Sequence, residues 1–313
     1  MGSVQIVTNG YKLAGTLSVP ENPNGKSVLI LPGSGGVDQD GNHKKFPSNL
    51  YKDLSDKLNH YGFTTLRFHK RGVGESEGSY IDTGFYDFIN DAREWLRFLK
   101  SHTPQNKVFI LGHSEGALQG PAVLNQEPAD GLIFLCGSTQ NGKDLLKYQN
   151  RLVRKEIREV SGFKGLFFKM LKVDQKIEKQ SSTLTNKINH TDESSFRFRG
   201  AKINAKWIRE QSQYDVKDEL KRLNVPVLAI SGGKDVQVEE EAAARVKELV
   251  HGPAVAKVLK DMNHVLRRFD GDHSLLKLHK EYRKTFPEDI HPELMATIIE
   301  WLDDPALSKV GPR

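Results

Sequence analysis

Val108-Phe109-Ile110-Leu111-Gly112-His113-Ser114-Glu115-Gly116 is the stretch on which the reading of this chain turns. Four apolar residues read as a buried strand. Gly116–Leu124 then carries a helical pattern, so the serine falls on a strand-to-helix turn. G-x-S-x-G in that setting is a nucleophile elbow. Its two glycines answer a steric demand, because a Cβ beside so sharp a turn crowds neighbouring backbone. The helix N-terminus behind the serine favours developing negative charge.

Outward from the elbow, short apolar runs alternate with longer helical patterns. Val4–Val7 and Leu13–Val19 read as two opening strands, with Asn9-Gly10 as their turn. Strands are expected at Ser27–Leu31, Phe63–Phe68, Lys107–Leu111, Gly131–Cys136, Val225–Ile230 and Ala254–Leu259. Helices are expected at Leu50–Leu58, Asp87–Leu99, Gly116–Leu124, Glu239–Leu249 and Pro292–Leu302. Such alternation predicts an α/β fold with a mostly parallel sheet covered on both faces. From Thr139 to about Gln213 the alternation stops, and the stretch reads as helical, basic and poor in strand signals.

A serine hydroxyl is a weak nucleophile and needs a base, which needs an orienting acid. Asp235 follows the strand Val225–Ile230, and His264 follows Ala254–Leu259. Ser114, Asp235 and His264 therefore stand in the order Ser, acid, His, each past a strand's C-terminal end. His69, His113, His273, His279 and His291 are rival bases, and Asp215, Asp218 and Asp261 rival acids. Backbone N–H groups for an oxyanion hole are expected from Glu115 and from Gly33-Ser34-Gly35-Gly36, with Ser34 first and Gly35 next. The same glycines lack the third position of a dinucleotide fingerprint. Asp38, Asp40 and Asn42 invite a calcium reading, but no later Glu completes such a loop, and a self-bonded turn is expected.

These residues, with Arg71-Gly72-Val73-Gly74-Glu75-Ser76 and the closing Ile298-Ile299-Glu300-Trp301-Leu302, resemble the α/β-hydrolase superfamily. The similarity is to its serine aminopeptidase-like and dienelactone-hydrolase-like esterases. The resemblance implies an eight-stranded sheet and a helical lid inserted after the sixth strand. Residues 1–139 and 213–313 would form the core and 140–212 the lid. The expected activity is cleavage of a carboxylic ester through an acyl-enzyme on Ser114, with no cofactor and no metal. An acyl thioesterase or an aminopeptidase-like amidase is the alternative, and a non-catalytic hydrolase-fold binder a third reading.

Composition narrows the partners. The 313 residues carry a net charge of +6. Residues 140–210 hold 17 Lys and Arg against 8 Asp and Glu, a net of +9, so the remainder is −3. The excess is local and interleaved with acids, without a nucleic-acid motif, so the expected partner is a small ester or thioester. Phe163, Leu166, Phe167, Met170 and Leu171 make one apolar helical face, expected to cover an acyl pocket. A surface helix merely docked onto the body and a helix lying on a membrane surface are the weaker readings. Cys136 is the single cysteine, which excludes an internal disulfide and a cysteine-cluster metal site. No signal peptide and no 18-residue apolar run are evident, so a cytoplasmic protein is expected.

Overall fold

The computed structural model of the chain describes residues 2–44, 46–160, 162, 173–271 and 274–308. Ten strands are described: β1 Gly2–Thr8, β2 Tyr11–Ser18, β3 Lys26–Leu31, β4 Thr64–Phe68, β5 Lys107–His113, β6 Gly131–Leu135, β7 Ser195–Phe198, β8 Ala201–Asn204, β9 Val227–Lys234 and β10 Ala254–Asn263. The helices described are α1 Leu50–His60, α2 Phe85–His102, α3 Glu115–Gln126, α4 Gly142–Glu159, α5 Val173–Asn189, α6 Ala205–Gln213, α7 Val216–Leu220, α8 Ala242–Leu249, α9 Leu278–Thr285 and α10 Pro292–Asp303.

Eight strands form one sheet in the order β1-β2-β4-β3-β5-β6-β9-β10. The β1–β2 and β2–β4 pairs are antiparallel, and every pair from β4 to β10 is parallel. This is the α/β-hydrolase arrangement. Inner strands obey the period of two. Leu29, Leu31, Ile110, Leu132, Phe134, Val227 and Ala229 join the core beneath α2, α3 and α8. Val28, Ile30, Phe109, Leu111, Ile133, Leu135, Leu228 and Ile230 join the opposite core beneath α1 and α10. Two buried faces explain why these strands read as unbroken apolar runs.

Register brings the loops together. The chain leaves β3 for β4 on one side and returns to β5 on the other, a topological switch point where crevices open at strand C-termini. Leu31 pairs with Gly112, which sets the loop after β3 beside the elbow. Lys234 pairs with Asn263 beyond a register shift in β10, so Asp235 and His264 each lie one residue past the last pairing.

Residues 142–213 lie between β6 and β9, where the extra segment was expected. They are not all helical. β7 and β8 form an antiparallel hairpin with Arg199 and Gly200 at φ 51° and 86°. A two-residue turn with both centres at positive φ matches strand twist. The sequence reading missed it because each strand is four residues long, and Ser195-Phe196-Arg197-Phe198 is too short to establish a period against the flanking helical pattern. The apolar face at Phe163, Phe167, Met170 and Leu171 lies outside the described residues. Among the described residues no helix is long and apolar enough to cross a membrane.

Candidate active site

The elbow is strained as its sequence requires. Ser114 stands at φ 55° and ψ −114°, between the end of β5 and the start of α3. A Cβ on Gly116 would meet Leu31 O at 2.1 Å, and one on Gly112 would meet Gly116 O at 2.3 Å. Both obstacles are backbone, so neither yields to a rotamer change. Non-glycine residues at such φ cost of order 1–3 kcal/mol, held here by the surrounding sheet and helix.

Ser114, His264 and Asp235 lie in one hydrogen-bonded line. Ser114 Oγ is 3.0 Å from His264 Nε2, and His264 Nδ1 is 2.6 Å from Asp235 Oδ2. The carboxylate can only accept, so Nδ1 carries the proton and Nε2 faces the serine as acceptor. Asp235 Oδ1 is held by Gln237 N–H at 2.8 Å and Val238 N–H at 3.2 Å. One carboxylate thus ties its own loop with one oxygen and orients the imidazole with the other. The Cys136 thiol is buried; burial first, and then the negative charge of Asp235, pushes it well up.

The rivals are engaged elsewhere. His113, inside the elbow, is buried and turned from the serine. Its Nε2 donates to His264 O at 2.8 Å, and its Nδ1 accepts from Tyr51 Oη at 3.1 Å. Burial, reinforced by the neighbouring His264, pushes His113 down to about 3, so the ring is neutral at pH 7. His69 Nδ1 accepts Gln39 N–H. His291 pairs with Asp261 at 3.0 Å, and Arg268 takes the other Asp261 oxygen. Asp215 caps α7 by accepting Lys217 N–H, and Asp218 faces Lys221. His279 packs at a tilt against Phe46, with ring centroids 4.9 Å apart. His273 lies outside the described residues.

The loop after β3 presses on the nucleophile. A Cβ on Gly33 would sit 3.2 Å from Ser114 Cβ. Gly33 N–H donates to Tyr51 Oη at 2.6 Å, and Gly33 O accepts Lys70 Nζ at 2.6 Å. Burial pushes the nearby Tyr80 hydroxyl up. Ser34 N–H and Glu115 N–H have no protein acceptor among the described residues. Glu115 opens α3, where the first amides have no partner within the helix. Its side chain is buried against Lys70, with Glu115 Oε1 3.0 Å from Nζ and both side chains 2% exposed.

Sequence reasoning passed over Tyr51 and Lys70. Tyr51 sits one residue after Leu50 on an amphipathic helix, where an aromatic reads as core. Lys70 precedes Arg71-Gly72, and that motif was the available signal. Arg71 itself is buried against Asp91 at 2.5 Å. The Asp38 loop bonds to itself, Asp38 Oδ1 accepting Asp40 N–H at 2.9 Å and Asn42 N–H at 2.8 Å, while Asp40 accepts Arg67 Nε. No cluster of three or more metal-ligating side chains occurs among the described residues.

The insertion is moored around this site. Gln149 Nε2 donates to Gln237 O at 3.0 Å, two residues past Asp235. Glu156 accepts from Ser274 Oγ at 2.7 Å and Leu275 N–H at 2.8 Å. On the opposite side, Asn204 Nδ2 donates to Tyr80 O and Thr83 O, and Lys206 meets Asp87 at 2.7 Å. Asp82 accepts from Ser79, Ser194 and Ser195. The Ser195 bond is foremost in pushing its carboxyl down to about 2.

Comparison with known proteins places these features among hydrolases. The family described as Serine aminopeptidase, S33 matches residues 46–268. Esterase EstD of Thermotoga maritima is 27% identical over 270 residues, covering 85% of this chain and 60% of that protein. The chain thus spans only about 60% of the length of this curated relative. Est1E from Butyrivibrio proteoclasticus, solved with ferulic acid, superposes with a TM-score of 0.57 at 17% identity, covering 92% of this chain and 99% of that one. A proline iminopeptidase from Mycobacterium smegmatis gives a TM-score of 0.60 at 14% identity, covering 99% and 100%. At such identities these structures share the fold.

Proposed function

Because the chain belongs to the serine aminopeptidase S33 family, we propose that it is a serine hydrolase of the carboxylesterase type, acting on a small-molecule ester. One observation carries the reading: a serine on a strained turn, 3.0 Å from an imidazole whose far nitrogen is 2.6 Å from a carboxylate. In this reading Ser114 Oγ attacks the carbonyl carbon as His264 Nε2 takes its proton. Asp235 holds the tautomer and stabilises the imidazolium. The oxyanion is bound by Glu115 N–H and Ser34 N–H, amides beside Ser114 that have no protein acceptor among the described residues. His264 then protonates the departing alcohol, leaving an acyl-Ser114. Water, deprotonated by His264, releases the acid. No step calls for a metal or cofactor.

The core would be 1–139 and 213–313, with 140–212 as a lid. Its moorings at Gln237, at 274–275 and at 80–87 support this, since they flank the loops that carry Asp235 and the oxyanion donors. Esterase chemistry is favoured over an aminopeptidase-like amidase by the insertion's charge. An aminopeptidase needs a carboxylate to receive the substrate's amine. Here Glu156, Glu178 and Glu210 are committed to Ser274, Arg154 and Lys206. The experiment is labelling by a fluorophosphonate, with hydrolysis of p-nitrophenyl esters from C2 to C12, acyl-CoA and aminoacyl amides. Labelling lost in Ser114→Ala and fastest turnover on esters supports the reading. Wild type that neither labels nor turns over an ester removes it.

A further inference from the structure

We propose that Lys70 is a positioning residue of the oxyanion hole, aiming and polarising Ser34 N–H through the Gly33 carbonyl. The inference rests on the reading of Ser34 N–H as an oxyanion donor. It starts from covalent geometry. Gly33 O and Ser34 N–H are the two ends of one peptide unit, and the described chain has no cis peptide bonds. In a trans peptide the C=O and N–H vectors are antiparallel. Whatever holds the carbonyl therefore sets the direction of the amide hydrogen.

Lys70 holds that carbonyl. Its Nζ lies 2.6 Å from Gly33 O, 3.0 Å from Glu115 Oε1 and 5.1 Å from the centre of the Phe88 ring. The residue is 3% exposed, so water takes little part in holding the ammonium. A cation on the carbonyl oxygen draws electron density through the amide and makes the N–H at its far end a stronger donor. The charge-assisted bond is stronger than a neutral one, and the buried setting keeps the field from being screened. Lys70 is also tied to the other half of the hole. Its counter-ion is the side chain of Glu115, whose backbone N–H is the second donor. Gln119 Nε2 donates to the same Glu115 oxygen at 3.0 Å, bracing that side chain along α3.

Gly33 is gripped at its other polar group as well. Its N–H donates to Tyr51, Tyr51 donates to His113 Nδ1, and His113 Nε2 donates to the carbonyl of His264. The peptide before Gly33 is thus referenced to the loop of the base, and the peptide after it to the elbow helix. Of the amides in this loop, Ser34 N–H is the one that shares its peptide unit with the carbonyl held by Lys70.

The test compares wild type with Lys70→Met and with the double variant Lys70→Met/Glu115→Gln. The single change strands a buried carboxylate, so misfolding could mask its effect; the double removes both charges at similar volume. Each is measured for far-ultraviolet circular dichroism, kcat and KM on p-nitrophenyl acetate, and affinity for an alkyl boronic acid, which forms a tetrahedral anion on the serine. Removing an oxyanion donor outright costs about 10²–10³ in kcat, so weakening one should cost about 10- to 100-fold. The expected result is that loss in kcat, a parallel loss in boronate affinity, and KM within about twofold of wild type. A folded double variant with wild-type kcat overturns the proposal, as does a change confined to KM that leaves kcat and boronate affinity at wild-type values. A double variant that does not fold also overturns it, since Lys70 would then serve the core and not the hole. Failure of the wild type to form any boronate or fluorophosphonate adduct strikes the esterase reading instead.

Discussion

Replacing His113 by Gln should change how stability depends on pH while leaving the fold intact. The imidazole is buried, donates through Nε2 to His264 O and accepts through Nδ1 from Tyr51. Glutamine can offer the same donor and acceptor but does not titrate. Burial pushes the folded-state His113 down to about 3, against an unfolded value of 6.5. Between those values the unfolded chain binds more protons, so stability rises with pH and is lost as pH falls below 6.5. One such group gives a slope of about 1.4 kcal/mol per pH unit, or about 3 kcal/mol between pH 7 and pH 4. Urea titrations at pH 7, 6, 5 and 4, followed by the fluorescence of the three tryptophans, measure this directly. His113→Gln should lose about 3 kcal/mol less than wild type over that range. Curves for the two proteins that stay parallel within about 0.5 kcal/mol would refute a neutral, proton-excluding His113.

Three further outcomes follow from the same geometry. Gly116→Ala places a methyl 2.1 Å from the Leu31 carbonyl oxygen, a backbone atom that no rotamer change can move, and should destabilise by about 3 kcal/mol or more; an unchanged melting temperature would contradict the close approach. Asp235→Asn should fold normally but lower kcat by about 10³–10⁴, because the amide cannot hold the Nδ1–H tautomer; near-normal ester turnover would take Asp235 out of the line. Arg71→Met should cost about 3–5 kcal/mol at pH 7 by stranding Asp91, whose carboxyl burial already pushes up to about 6. Adding Asp91→Asn should recover most of that in a denaturant titration, and no recovery would show that the pair's charge is not what matters.

The sheet was legible because its inner strands are apolar on both faces and so stand out from every neighbour, as Val108–Leu111 does. The elbow was legible because its glycines obey a steric rule readable in one dimension. The β7–β8 hairpin was not, since four-residue strands are defined by their pairing and not by a period of their own. Lys70 and Tyr51 were invisible for a related reason. A lysine after a strand and a tyrosine on an apolar helix face are ordinary residues until a particular carbonyl and amide are set beside them.

The sequence alone determined the alternation that dictates an open α/β sheet, the strained serine turn, and the chain order of serine, acid and histidine. These are local or periodic properties, carried by neighbouring residues and by what their side chains exclude. The tertiary structure alone decided the distance and orientation at which His264 faces the serine, which loop amides beside it lack a protein acceptor among the described residues, and what holds them. Those depend on strand register: Leu31 opposite Gly112 and Lys234 opposite Asn263 bring residues more than a hundred positions apart within hydrogen-bonding distance. Such pairings are fixed by packing two cores across one sheet, and no window of sequence contains both partners.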